Sequence, residues 1–428
     1  MKPILIFSGP VQSRSGYGEH ARDIVRALIK LDKFDIRIIP IRWGNTPLNV
    51  LKPKEDDDIL LRIMKDNKVE RQPEISVQLT VPNEFQQIAK YNIGITAGIE
   101  TTVCSVEWIQ GLNRMDLNIV PSKFSKEVFL NTSYNRNDAE GNAIEVLKVE
   151  KPIEVVFEGV DVDTFYNTVA PSSIRHNLND ISESFAFLFV GHWLQGDIGA
   201  DRKDVGMLVK TFLETFKGRK NKPALILKTG STFSQMDRDD LFNKIKTIKD
   251  MVKHPDLPNI YILLGELTKQ EMAGLYHHSK VKAHISFTRG EGFGRPLLEA
   301  SLSGKPILAS GWSGHLDFLP RDLTILLPGK LSPVHPSAVW DKVILAESQW
   351  FTVNYTYASN AMLDVFNRYT SFEDSSKKLA QQNRNNFSFD KMTKLLDEIL
   401  EKNLPKFLVQ QNLVIPKLKK IEKPKENE

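Results

Sequence analysis

A chain of 428 residues, 41% hydrophobic and 26% charged, has room for two domains that each bury a core. Its formal charge is +4, and residues 405–428 hold six lysines against three glutamates, so the body lacks the uniformly basic character of a general nucleic-acid binder. One cysteine, Cys104, excludes an internal disulfide framework and a cysteine-based metal site, and no apolar run is long enough to span a bilayer; a reducing, cytoplasmic setting is expected.

Ile4–Ser8 is an apolar run too short for a secretion signal and reads as a first strand. A polar loop follows, and Ala21, Ile24, Val25, Leu28 and Leu31 then recur at helical spacing. At the end of that loop, Gly16-Tyr17-Gly18-Glu-His20-Ala21 has the Gly-x-Gly-x-x-Ala form of a nicotinamide dinucleotide site, the mark of an oxidoreductase or epimerase. Two features oppose that reading. Seven residues, Gly9 to Ser15, separate the strand end from Gly16, and the second strand, Phe34–Ile41, ends without an acidic residue for the ribose. Lys54–Lys68, with an acidic start, is expected as a helix. Ser76–Val81, Tyr91–Ala97 and Leu117–Val120 read as strands, Asn131–Asn142 as an exposed loop or insertion, and Val155–Phe157 as the last strand of this half.

A second alternation begins at Phe185–Val190, followed by a helix near Val205–Phe216. Pro223–Lys228, Ile260–Leu264, Val281–Phe287, Pro306–Ala309 and Leu323–Leu327 are strand candidates, Thr268-Lys-Gln-Glu271 has the form of a capping box, and from Trp340 to about Lys402 the chain reads as mostly helical. Two βα alternations imply an α/β protein of two doubly wound, Rossmann-like domains facing each other, with ligands at the carboxyl ends of the strands. The expected division is 1–170, 171–365, helices in 366–404 crossing back to the first domain, and a mobile lysine-rich tail, 405–428.

The chemistry concentrates between Phe287 and Ser303. Gly292 and Gly294 permit a tight turn or a close approach to a ligand, and Pro296 suits the start of a helix that Leu297, Leu298, Ala300 and Leu302 continue. A strand, a glycine turn and a helix start offer N–H groups to a phosphate. Glu291 lies on the turn and Glu299 eight residues on, so two carboxylates flank that phosphate site, as a nucleotide-sugar would need. These residues fit an ordinary βα turn with solvated glutamates equally well. Arg202 and Lys203, adjacent at a helix entrance, would neutralise a diphosphate leaving group, and Lys228 at a strand end is another candidate phosphate contact. His20, His284 and His315 have no metal-ligand spacing, so no metal site is expected.

Glu291-Gly292-Phe293-Gly294-Arg-Pro296-Leu297-Leu-Glu299-Ala resembles the Glu-x7-Glu motif of family-four retaining GT-B glycosyltransferases. The resemblance covers Ile4 to about Leu400 and implies a donor nucleotide-sugar with UDP or GDP, no permanent cofactor, Glu291 beside the transferred sugar and Glu299 on the ribose. Gly16 and Gly18 stand where the family carries a phosphate and sugar loop. Arg202-Lys203 resembles the family's pair whose lysine holds the diphosphate, and Leu267 lies in a segment similar to one that packs around the base. His192 stands where the family commonly has an arginine, and Ser310–Asp317 departs from its Gly-Gly-x-x-Glu. Glu100, near a common family histidine, would take the acceptor proton; as a plain helix-start glutamate it would have no such role. The implied reaction has the acceptor attack on the face the diphosphate leaves. Arg14, Tyr17, His20 and Trp108 are expected on the acceptor side. The run Asn92–Cys104 is similar to bacteriophage-encoded members, some of which glycosylate hydroxymethylated bases in DNA. That implies double-stranded DNA with a modified cytosine as acceptor, Arg14, Lys123 and Lys126 along its phosphates, and a host-cytoplasm location. A glycan or lipopolysaccharide is the alternative acceptor, and a non-catalytic sugar or nucleic-acid binder the alternative of another class.

Overall fold

Strands buried on both faces read as continuous apolar runs, and such runs joined by helices pair in parallel. The first half lays down β1 (Ile4–Gly9), β2 (Asp35–Pro40), β3 (Ile75–Leu79), β4 (Tyr91–Ile95), β5 (Leu117–Val120), an antiparallel hairpin of β6 (Ser133–Asn137) and β7 (Ala143–Lys148), and β8 (Ile153–Val155). All but the hairpin form one parallel sheet, ordered β2-β1-β3-β4-β5-β8. The second half gives β9 (Ala186–Val190), β10 (Ala224–Lys228), β11 (Ile260–Leu263), β12 (Val281–Ser286), β13 (Ile307–Ser310) and β14 (Ile325–Leu327), ordered β11-β10-β9-β12-β13-β14. An antiparallel ribbon of β15 (Gly329–Pro333) and β16 (Gln349–Val353) follows. This is a computed structural model that describes residues 2–407 apart from 67, 139, 141–142, 167–170, 194–195 and 231–234; most of the lysine-rich tail lies outside the described residues.

Chain order sets where a ligand can bind. In the second sheet β9 lies between β10 and β12, so the loops leaving β9 and β12 diverge and open a crevice at the carboxyl ends. Those loops carry Arg202, Lys203 and Glu291. In the first sheet the equivalent position follows β1, where the helix Gly16–Leu31 starts from a Ser15 cap whose Oγ accepts the Gly18 N–H at 3.0 Å.

Each sheet has its own apolar packing. Leu5, Phe7, Ile24, Val25, Leu28, Val77 and Ile95 build the core of the first, and the final helix, Phe389–Asn403, adds Met392, Leu396, Ile399 and Leu400 to it. The second sheet buries Leu188, Ile226, Leu298 and Ile307 on one face and Phe187, Phe189, Phe212 and Ile285 on the other.

Two local expectations are corrected and one is narrowed. Lys54–Lys68 supplies only one helical turn, Asp57–Leu60, because Ile63 leaves to bridge Ile38 and the Asp56 and Asp58 carboxylates pair with Arg26. Of the polar stretch after Asn131, the described Ser133–Asn137 form exposed β6 of the β6–β7 hairpin, which makes it the insertion of the two readings rather than a plain loop. The segment from Trp340 to Val353 is not helical: β16 pairs with β15, and helix resumes only at Tyr355. The capping box at Thr268 forms, with the Thr268 N–H donating to Glu271 at 2.9 Å. Among the described residues, no helix is long and apolar enough to cross a membrane.

Because Leu396 sits in the first domain's core, Leu396→Ala should cost about 2–5 kcal/mol. Urea denaturation checks this: a lowered midpoint is expected, and an unchanged one would show that the last helix is not part of that core.

Candidate active site

Contacts between the two halves run between loops that leave the carboxyl ends of strands. The loop after β4 presses on the loop after β12 so closely that a Cβ on Gly290 would stand 1.9 Å from the Glu100 carbonyl oxygen, and one on Gly292 2.0 Å from that of Ala97. Ser122 and Ser125, after β5, both donate hydroxyl hydrogen bonds to the Gly292 carbonyl. Nearby, the Lys123 N–H donates to Asp317 at 2.9 Å, and Phe124 meets Trp312 edge-on at 4.7 Å. Further along the crevice Arg14 pairs with Glu266 at 2.6 Å.

Within this junction the buried charges are grouped. Lys203 Nζ bonds Glu291 Oε1, Arg202 Nη1 lies 3.6 Å from Glu291 Oε2 and 3.4 Å from Glu100 Oε1, and the same nitrogen donates to the Gly290 carbonyl at 3.1 Å. Burial alone would raise the Glu291 pKa; Lys203 and Arg202 outweigh it and hold the carboxyl at about 2. Burial lowers the Lys203 pKa despite Glu291, and for Arg202 the carboxylates of Glu100 and Glu291 override burial and raise it. Glu291 is therefore ionised at any physiological pH and acts as an acceptor of hydrogen bonds, not as an acid. Its own N–H is fixed by Ser313 Oγ at 2.9 Å.

The loop carrying Arg202 and Lys203 is shaped by Arg289, which the sequence reading missed. Its N–H donates to the Arg202 carbonyl at 2.8 Å, its guanidinium donates to the Gly199 carbonyl at 2.6 Å and lies 3.1 Å from Asp204, and its face covers Trp350. Asp204 has a left-handed φ of 51° at the helix entrance, steadied by a 2.7 Å hydrogen bond from the Tyr355 hydroxyl. Glycine at 294 is required by a φ of 94°, with the His315 Cβ 3.0 Å from where a Cβ would stand.

Glu299 belongs to a second group. Arg295 Nε donates to its Oε1 at 3.1 Å, and the Tyr276 hydroxyl lies 3.4 Å from Oε2. Burial raises the Glu299 pKa and Arg295 opposes it. Arg295 also reaches Asp23 of the first domain at 2.5 Å. Beside it Glu158 is buried, and burial, only partly offset by Arg295, pushes its carboxyl up to about 7.

Glu100, Arg202, Lys203 and Glu291 are thus brought together, and Glu299 lies in the adjoining group. Lys228 donates to the Gly265 carbonyl at 2.7 Å, beside Glu266 and half-buried Leu267. Gly292 and Gly294 are in the junction, whereas the side chains of Phe293 and Leu297 are core, Phe293 packing on Phe318 at 5.0 Å, so a ligand could meet these two only through their backbone; Pro296 is half-buried. Gly18 is needed because Ser13 O would lie 2.1 Å from a Cβ there, while nothing stands within 4 Å of one at Gly16. Tyr17 stacks on Trp43 at 3.9 Å and its hydroxyl meets Thr96 at 3.1 Å. Two acceptor-side expectations change. Trp108 is 2% exposed, packed with Ile109, Leu112 and Phe129, and so belongs to the core. His20 is fully buried with neither ring nitrogen hydrogen-bonded. Arg14 stays at the crevice, paired with Glu266. Among the described residues, no group of three or more His, Cys, Asp or Glu side chains is placed to hold a metal.

Two six-stranded parallel sheets meeting at their strand ends constitute the GT-B fold. Solved structures share it over almost the whole chain. A glycosyltransferase from Rickettsia africae ESF-5 aligns with a TM-score of 0.62 and 15% identity, covering 94% of this chain and 99% of that one. Sucrose-phosphate synthase from Thermosynechococcus elongatus aligns with a TM-score of 0.62 and 14% identity over the same shares. HepE of Anabaena, in complex with UDP-glucose, aligns with a TM-score of 0.56 and 16% identity, covering 94% of this chain and all of that one. At such identities the likeness is one of fold. No family model matches the chain, and no curated protein sequence matches it.

The buried Glu158 carboxyl makes stability depend on pH. Its folded pKa of about 7 exceeds its ordinary 4.5, so between those values the folded state binds more protons, and stability falls as pH rises through about 7. Glu158→Gln removes this loss. Urea midpoints should show the variant gaining on the wild type from pH 5 to pH 8; parallel shifts would refute the assignment.

Proposed function

We propose that the protein transfers a sugar from a uridine-diphosphate sugar to a carbohydrate hydroxyl with retention of anomeric configuration. The observation that carries the reading is the buried convergence of Lys203 and Arg202 with Glu291 at the carboxyl end of the second sheet. A diphosphate entering the crevice would compete with Glu291 for the two cations, and the sugar hydroxyls would take over Glu291. The acceptor oxygen forms a bond to the anomeric carbon as the bond to the β-phosphate oxygen breaks, and the acceptor proton passes to the leaving phosphate. Lys203 and Arg202 stabilise the negative charge that grows on that phosphate. Glu299 would hold the ribose, and Glu100, 3.4 Å from Arg202, lies on the acceptor side.

Uridine is favoured over guanosine because HepE is seen with UDP-glucose and shares the fold over 94% of this chain. A carbohydrate is favoured over a hydroxymethylated cytosine in DNA because sucrose-phosphate synthase, named for a carbohydrate product, shares the fold over 94% of this chain. The bacteriophage-like reading remains in the test as its own arm.

A panel of UDP- and GDP-sugars, offered with oligosaccharides, lipopolysaccharide and hydroxymethylated duplex DNA, would be followed by nucleotide release and acceptor mass gain. Transfer from a UDP-sugar to an oligosaccharide or lipopolysaccharide, with the anomeric proton coupling preserved, is expected. Lys203→Ala should lower kcat by roughly 10²–10³-fold, as loss of one electrostatic contact to the leaving group does. Transfer confined to DNA would overturn the acceptor assignment, and a fully active Lys203→Ala would overturn the site.

A further inference from the structure

Arg295 opens the helix Arg295–Ser301, and four carboxylates surround its guanidinium. Nη1 lies 2.5 Å from Asp23 Oδ2 and 3.9 Å from Glu158 Oε2, Nη2 lies 3.7 Å from Glu19 Oε1, and Nε lies 3.1 Å from Glu299 Oε1. These carboxylates differ in their dependence on it. Glu19 is also held by Lys269 at 2.5 Å and by Arg22 at 2.5 Å. The ion pairs of Asp23 and Glu299, among the described residues, are with Arg295 alone.

Asp23 lies on the helix Gly16–Leu31 of the first domain, and Glu299 lies in the second. A guanidinium is a rigid planar fork, so the direction of Nε and that of Nη1 are fixed relative to each other. Were Asp23 withdrawn or neutralised, the carboxyls left beside the fork are Glu158, 3.9 Å from Nη1, and Glu19, 3.7 Å from Nη2. A turn towards either would carry Nε away from Glu299, because the fork is rigid. Water is a poor substitute because the Arg295 side chain is only 10% exposed. Glu299 would then lose the guanidinium that orients it and opposes the raising effect of burial.

We infer that Arg295 is a positioning residue that orients Glu299 towards the nucleotide only while the first helix is docked, so that nucleotide affinity is coupled to contact between the domains. This rests on the donor reading above, in which Glu299 meets the ribose. Asp23 then contributes to nucleotide binding without touching the nucleotide.

Calorimetric titration of UDP and of 2′,3′-dideoxyuridine diphosphate tests it on the wild type, Asp23→Asn, Arg295→Lys, the double variant and Lys203→Ala. Asp23→Asn should weaken UDP about tenfold and leave the dideoxy analogue, which lacks the ribose hydroxyls, unchanged. Arg295→Lys should weaken UDP similarly, and the double variant should be no weaker than Arg295→Lys alone. Equal losses for both nucleotides, no loss for UDP, or additive losses would overturn the inference. Thermal melts establish that Asp23→Asn, an isosteric change, is folded, so the inference does not depend on the harsher Arg295 variant. Wild-type binding of UDP with loss in Lys203→Ala sustains the donor reading whatever Asp23→Asn does; if the wild type binds neither nucleotide, both readings fall.

Discussion

A charge removed from water must find a partner within a few ångströms, and between the two sheets that requirement is met by pairs drawn from different loops and different domains. Lys203 with Glu291, Arg202 with Glu100, and Arg295 with Asp23 each lie where the strand ends converge. None is an independent stabilising unit. Arg202 and Arg295 are each neutralised by a carboxylate that the approach of the opposite domain brings in, whereas Lys203 and Glu291 pair within the second domain. Backbone contact at Gly290 and Gly292 sets how close that approach is, and leaves no room for a side chain.

The same constraint gives the site its chemistry. Burial lowers the Lys203 pKa and Glu291 opposes that, so the ammonium is held by an anion that a stronger one can replace. A diphosphate offers more charge than Glu291 and a similar reach, so on the proposed reading donor binding would be an exchange of partners. Arg289 fixes the backbone of the loop that presents Arg202 and Lys203, through bonds to the carbonyls of Gly199 and Arg202. It touches no reacting group in this arrangement, but the position of both cations depends on it.

What the sequence revealed follows the range of the forces involved. The strand, turn and helix around Glu291 were legible because alternation over Val281–Ser286, a glycine pair and Pro296 are local signals. The capping box at Thr268 was legible for the same reason. Lys54–Lys68 misled because Ile63 bridges a strand and Asp56 and Asp58 are drawn to Arg26, about thirty residues away in sequence. The ribbon of β15 and β16 was missed because the long stretch 334–348 separates the two strands and β15 has little apolar alternation of its own. Arg289, Arg295, Asp23 and Glu158 gain their meaning only from partners that the fold assembles. Trp108 erred the other way: the family resemblance put it on the acceptor side, and helix phase turns it inward onto Phe129.

The central claim is that the cations opposite Glu291 receive a diphosphate while Glu299 receives a ribose. A crystal structure with uridine diphosphate bound addresses it directly. The account predicts the β-phosphate within hydrogen-bonding distance of Lys203 Nζ and the Arg202 guanidinium, with Glu291 released from Lys203 and a ribose hydroxyl on Glu299. A nucleotide bound at Gly16–Gly18 alone, with Lys203 still paired to Glu291, would contradict it.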